Sequence, residues 1–149
     1  MNRVSITMDS HPQNISFARV VVAGFLAPYD PPVDEISDIK TAVSEAVTNA
    51  IIHGYPEGSQ HDAAASPKTV RLTLSTGGDR VITIEVSDDG VGIADIETAR
   101  EPLFTTKAEL ERSGLGFTVM ESFMDSVTVE STLSQGTTIT LAKKLASTE

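Results

Sequence analysis

Several stretches of this chain alternate strictly between apolar and polar residues, the pattern of strands with one dry face and one wet face. Thr69 to Ser75 sets Val70, Leu72 and Leu74 against polar neighbours, and Val81 to Asp88 sets Ile82, Ile84 and Val86 against Thr83, Glu85 and Ser87. Val127 and Val129, then Thr137, Ile139 and Leu141, repeat the alternation, as do Val4, Ile6 and Met8 within Arg3 to Met8. The links Thr76-Gly77-Gly78-Asp79 and Ser134-Gln135-Gly136 are short and turn-forming, so two hairpins are predicted. A parallel sheet covered on both faces would show continuous apolar runs instead. The expected fold is therefore α/β (α+β), a two-layer sandwich of a mostly antiparallel sheet with helices on one face.

Two helical segments supply the second layer. Ser10-His11-Pro12-Gln13 fits a capping box opening an amphipathic helix through Ile15, Phe17, Ala18, Val21, Val22, Phe25 and Leu26, which Pro28 to Pro32 closes. Arg19 lies in it among apolar or small neighbours, as a snorkelling surface arginine or as a partner contact. A second helix, about Val33 to His53, carries Ile36, Ile39, Val43, Val47, Ala50 and Ile51 in one apolar stripe. On the flank of that stripe Glu45 and Asn49 stand one turn apart, and His53 follows. On this helix alone the pair fits a solvated polar edge as well as a site.

At 149 residues the chain suits one domain, residues 1–149, with a sizeable core. Cysteine is absent, which removes disulfides, thiolate metal sites and a cysteine nucleophile. The longest apolar run, Val20 to Ala27, is far short of the roughly 20 residues of a membrane span. A soluble, cytoplasmic protein is expected. The formal charge of -10 opposes binding to nucleic-acid phosphates. His11, His53 and His61 lack metal-ligand spacing.

Asp88 continues the inward series of Ile82, Ile84 and Val86, so its carboxylate should point to the helix side where the strand ends. A desolvated carboxylate needs donors, and the exocyclic amine of adenine is one. Thr137 is inward by the same parity and could add a hydroxyl. In Asp88-Asp89-Gly90-Val91-Gly92 the missing side chains allow a ligand close to the backbone, although an ordinary Asp-Gly turn fits too. Gly114-Leu115-Gly116 precedes the apolar run Phe117, Val119, Met120 and Phe123, which suits a phosphate at a helix N-terminus or a plain cap. Arg100 to Ser113, between the glycine motifs, reads as a nucleotide lid or a surface loop, and Pro56 to Pro67 as a flexible loop. There is no P-loop and no eukaryotic-type kinase signature.

Taken jointly and in order, Glu45-x-x-x-Asn49, Asp88-x-Gly90-x-Gly92, Gly114-x-Gly116 and Gly136-Thr137 resemble the N, G1, G2 and GT boxes of the gyrase, Hsp90, histidine-kinase and MutL ATPase superfamily. Ser44 to Tyr55 and Pro102 to Phe117 are similar to the small bacterial anti-sigma serine kinases, most closely the sporulation type. The Pro56 to Pro67 loop is longer and richer in alanine than that family leads one to expect.

The resemblance implies a Bergerat-type ATP-binding fold with Asp88 on adenine, Asn49 on Mg²⁺, and Glu45 as general base. His53, Gly90, Gly92, Thr105, Lys107, Arg112, Gly114, Gly116 and Thr137 would line the ATP or ADP site, with Lys107 or Arg112 at the γ-phosphate. It also implies a sigma-F-like sporulation sigma factor and a serine-bearing anti-anti-sigma factor as partners, Arg19 as a partner contact, and a homodimer. The alternatives are a stress-response (sigma-B) anti-sigma kinase, an ATPase of the same superfamily, and a non-enzymatic α/β module whose boxes are only turns and caps.

Overall fold

The computed structural model describes residues 1–54, 68–93 and 116–146. Its sheet has five strands, β1 (Asn2–Asp9), β2 (Thr69–Thr76), β3 (Val81–Asp88), β4 (Ser126–Thr132) and β5 (Gly136–Lys144). They lie in the order β1-β2-β3-β5-β4, and every neighbouring pair is antiparallel. The register converts the alternation in the sequence into rows of aliphatic side chains across one face. Val86 stands between Leu72 and Ile139, and Ile84 between Leu74 and Leu141. All six are buried, and each such side chain is worth roughly 1.5–3 kcal/mol.

Among the described residues, α1 (Asn14–Leu26), α2 (Val33–Asn49) and α3 (Gly116–Phe123) form the second layer. The fold is the two-layer sandwich expected from the alternation. α2 packs against both α1 and α3 and buries Ile39, Ala42, Val43, Ala46 and Val47. Asp34 and Glu35 in its first turn complement the helix dipole. Between α1 and α2, Asp30 takes a left-handed conformation (φ 46°) that stops the short 3₁₀ turn Ala27–Tyr29.

Two details of the helices differ from the sequence reading. The Ser10 capping box does not form. The N-cap is Gln13, without a side-chain cap bond, while the Ser10 N–H donates to the Lys68 carbonyl. Pairing of β1 with β2 thus holds Ser10 away from the helix end, and Asn14 Nδ2 ties the helix start to the Asp9 carbonyl at 2.9 Å. Phe17 also lies off the dry face, 50% exposed beside Val20 at 67%. It is about 100° around the helix from the buried Ala18.

Regular α-helix was expected to about His53 but ends at Asn49, and Ala50–Gly54 winds as one π turn. The Ala50 N–H is shared between the carbonyls of Ala46 and Val47, the point where the wider turn begins. That turn carries Gly54 to the end of β3.

Candidate functional site

Among the described residues, four chain segments meet at one end of the sheet: the end of β3, the start of β5, the end of β4 and the π turn after α2. Asp88 closes β3 and Thr137 opens β5 directly opposite it; they are 6% and 5% exposed. Burial pushes the Asp88 carboxyl up to about 6, with a further push from Asp89, against the pull of the Gly90 and Thr137 backbone N–H groups. The Gly90 N–H donates to Asp88 Oδ1 at 2.9 Å. Asp88 is thus a partly desolvated acceptor on the dry side of the sheet, as strand parity predicts.

The turn after Asp88 is fastened from both sides. The Val91 N–H donates to the Gly54 carbonyl at 2.9 Å, and the Ser134 N–H donates to the Val91 carbonyl at 2.8 Å. A Cβ on Gly90 would run into the Gly54 carbonyl, so the π turn and the Asp88 turn approach this closely only because residue 90 is glycine. Gly136 (φ 115°) likewise places bare backbone against the Asp88 carbonyl.

Ser131, the last inward residue of β4, completes the frame. Its Oγ accepts from the Ile93 N–H at 2.6 Å, donates to the Gly136 carbonyl at 3.1 Å and lies 2.9 Å from Thr137 Oγ1. The Thr137 hydroxyl, considered from sequence as a partner within the Asp88 site, is paired with Ser131, and its own backbone N–H is what reaches Asp88. The result is a buried carboxylate acceptor held by the backbone N–H groups of Gly90 and Thr137.

A family model described as a histidine kinase-like ATPase domain matches residues 8–143. The chain belongs to the histidine kinase-like ATPase family. Within the family it is 52% identical over 145 residues to the anti-sigma F factor of Bacillus subtilis, covering 97% of this chain and 94% of the relative. The anti-sigma F factor of Bacillus velezensis is equally similar, and that of Priestia megaterium is 46% identical over 148 residues, 99% of this chain and 96% of the relative. Among solved structures, the RsbU and RsbW domains of a Mycobacterium tuberculosis protein align with a TM-score of 0.67 at 21% identity over 97% of this chain. A blue-light activated histidine kinase of Erythrobacter litoralis aligns with a TM-score of 0.58 at 23% identity over 78%. Both likenesses concern the fold, and the chain spans about a third of each solved chain, 33% and 32%.

In this histidine kinase-like ATPase chain, α2 carries Glu45 and Asn49, both half-buried, on the flank of its dry stripe. Asn49 is the last residue of regular helix before the π turn. Arg19 on α1 reaches across to the same stretch: its Nη1 donates to Ser44 Oγ at 2.8 Å, and Ser44 Oγ donates to the Lys40 carbonyl at 2.8 Å. Arg19 is therefore a half-buried, oriented guanidinium rather than a loose snorkelling one. Gly92 (φ 78°) ends the Asp88 turn, and Gly116 is buried as the first residue of α3. Thr105, Lys107, Arg112 and Gly114 lie outside the described residues, as does the side chain of His53, whose backbone belongs to the π turn.

Sequence reasoning missed Ser131 and the use of Gly54. Ser131 was findable: Val127, Val129 and Ser131 share one parity in β4, and a hydroxyl at an inward position needs partners. Gly54 carries no pattern in the sequence that singles it out, and the π turn is what brings it against Asp88.

Proposed function

We propose that this chain is an anti-sigma factor and protein serine kinase that acts as one domain, residues 1–149, in the cytoplasm. It binds and inhibits a sigma-F-like sporulation sigma factor, and it uses ATP with Mg²⁺ to phosphorylate a serine of an anti-anti-sigma antagonist. The observation that carries this reading is the end-to-end similarity to anti-sigma F factors, 52% identical over 97% of the chain, and the buried Asp88 acceptor is consistent with it.

The residues present suit a nucleotide. Asp88 accepts from the adenine amine, and the glycines at 54, 90 and 136 let the π turn and the start of β5 close tightly around that carboxylate. Asn49 offers a carboxamide oxygen to Mg²⁺, which prefers oxygen ligands and needs few from protein when phosphates supply others. His53, Gly92, Thr105, Gly114 and Gly116 border the nucleotide, and Lys107 or Arg112 offsets charge at the γ-phosphate. Bound ATP supplies the phosphoryl group, and Mg²⁺ neutralises its charge.

Glu45, one turn before Asn49, takes the proton from the incoming serine hydroxyl as the oxygen attacks. Arg19, held by Ser44, presents its remaining donors to either protein partner. The working unit is a homodimer. Mixing the purified chain with ATP, Mg²⁺ and a serine-bearing antagonist tests the assignment: phosphoserine should form on the antagonist, and an antagonist with that serine changed to alanine should stay unmodified. Nucleotide hydrolysis without transfer would instead support a plain ATPase.

A further inference from the structure

The hydroxyl pair Ser131 and Thr137 has a determinate proton arrangement. A serine hydroxyl has one hydrogen to give and two lone pairs. One lone pair of Ser131 Oγ takes the Ile93 N–H at 2.6 Å, and its hydrogen goes to the Gly136 carbonyl at 3.1 Å, since that oxygen can only accept. The contact with Thr137 Oγ1 at 2.9 Å is then satisfied only if Thr137 donates into the second lone pair. All three bonds form together in this arrangement alone. It spends the Thr137 proton on Ser131 and leaves Thr137 Oγ1 with lone pairs only.

Thr137 stands opposite Asp88 in the β3–β5 register, both buried on the same face. We propose that Ser131 is a specificity-determining positioning residue: by holding the Thr137 hydroxyl as an acceptor beside the Asp88 carboxylate, it makes this end of the pocket favour a 6-amino purine and reject a 6-keto one. The inference rests on the nucleotide reading of the Asp88 site. A purine amine has hydrogens for two acceptors, directly or through a water. A keto oxygen there would face acceptors on both sides and lose its own partner, a mismatch of buried polar groups. Without the Ser131 hydroxyl, the Thr137 proton becomes free to turn toward the base and meet that oxygen.

The test is the ratio of ATP to GTP affinity, measured by calorimetric titration of wild type, Ser131→Ala, Ser131→Thr and Thr137→Val. Ser131→Ala should narrow the preference for ATP by about tenfold, mostly through better GTP binding, while Ser131→Thr keeps the hydroxyl and the wild-type ratio. Simple loosening of the turn would weaken both nucleotides alike and leave the ratio where it was, so an unchanged ratio in Ser131→Ala overturns the proposal. Should Ser131→Ala fail to fold, Thr137→Val carries the test, because it removes the opposing acceptor and should also narrow the ratio; an unchanged ratio there overturns it equally. Failure of the nucleotide reading looks different, since wild type itself would then bind neither nucleotide.

Discussion

Gly54 lies directly against the Asp88 carboxylate: a Cβ at residue 54 would stand 2.7 Å from both Cγ and Oδ1 of Asp88. The carboxylate is buried and held by the Gly90 N–H, so it cannot swing aside freely. Gly54→Ala should therefore displace Asp88, destabilise the fold by roughly 1–3 kcal/mol and weaken ATP binding by about tenfold or more. Thermal denaturation and ATP titration of the variant check both effects.

Asp88 also fixes a pH dependence. Its folded-state value of about 6 lies above the ordinary 3.8, so the native chain binds this proton more tightly than the unfolded chain does. The ionised carboxylate then costs stability, on the order of 3 kcal/mol, fully present above about pH 6 and relieved as pH falls toward 4. Nucleotide binding should run the opposite way, because a protonated Asp88 no longer accepts from the adenine amine with a charge. ATP affinity is expected to decline as pH drops through 6, and in Asp88→Asn the remaining affinity should be flat over that window. Parallel titrations between pH 5 and 8, a range spanning about one unit or more on each side of that value, show whether the two profiles differ.

Glu45→Gln separates binding from chemistry. The amide keeps the size of the side chain but cannot take a proton, so phosphoryl transfer should fall by roughly 10²–10⁴-fold while ATP affinity stays near wild type. Rates of phosphoserine formation alongside ATP titration distinguish this from a general loss of the site. An unaltered rate would return Glu45 to the role of a polar edge on α2.

Much of this was legible in the sequence because period-2 alternation has few physical solutions. The parity of Ile82, Ile84 and Val86 carries on to Asp88 and correctly forecasts its burial, and the stripe from Ile39 to Val47 correctly forecasts a helix buried on one side. What escaped was long-range. Ser10 looked like a helix cap until pairing with Lys68 claimed its backbone, and Phe17 counted as core until its angle around α1 put it outside. The stitch between Gly54 and Val91 joins residues tens of positions apart through backbone groups, which carry no residue-type signal, and the bond from the Ile93 N–H to Ser131 Oγ spans a similar distance.

Arg19→Ala should leave the fold nearly unchanged, since Ser44 keeps its bond to the Lys40 carbonyl and an exchange at a half-buried surface position usually stays within about 0.5 kcal/mol. Losing a charge-assisted donor should still weaken the sigma factor and antagonist by about tenfold or more. If the surface that the partners meet differs between the ATP and ADP states, the sigma factor should bind more tightly with ATP, and the unphosphorylated antagonist should form its long-lived complex with ADP. Affinities for both partners in ATP, in ADP and without nucleotide, for wild type and Arg19→Ala, would show the pattern; equal values in all three conditions would remove the switch.

Titrating ATP into wild type and Asp88→Asn decides whether the buried carboxylate of Asp88 reads the adenine of a bound nucleotide. Asparagine keeps the shape, can still accept the Gly90 N–H and removes a buried charge, so the variant should fold. Wild type should bind ATP, and the variant should lose at least about tenfold in affinity together with part of its preference for ATP over GTP. A folded Asp88→Asn protein that binds ATP as tightly as wild type would contradict it.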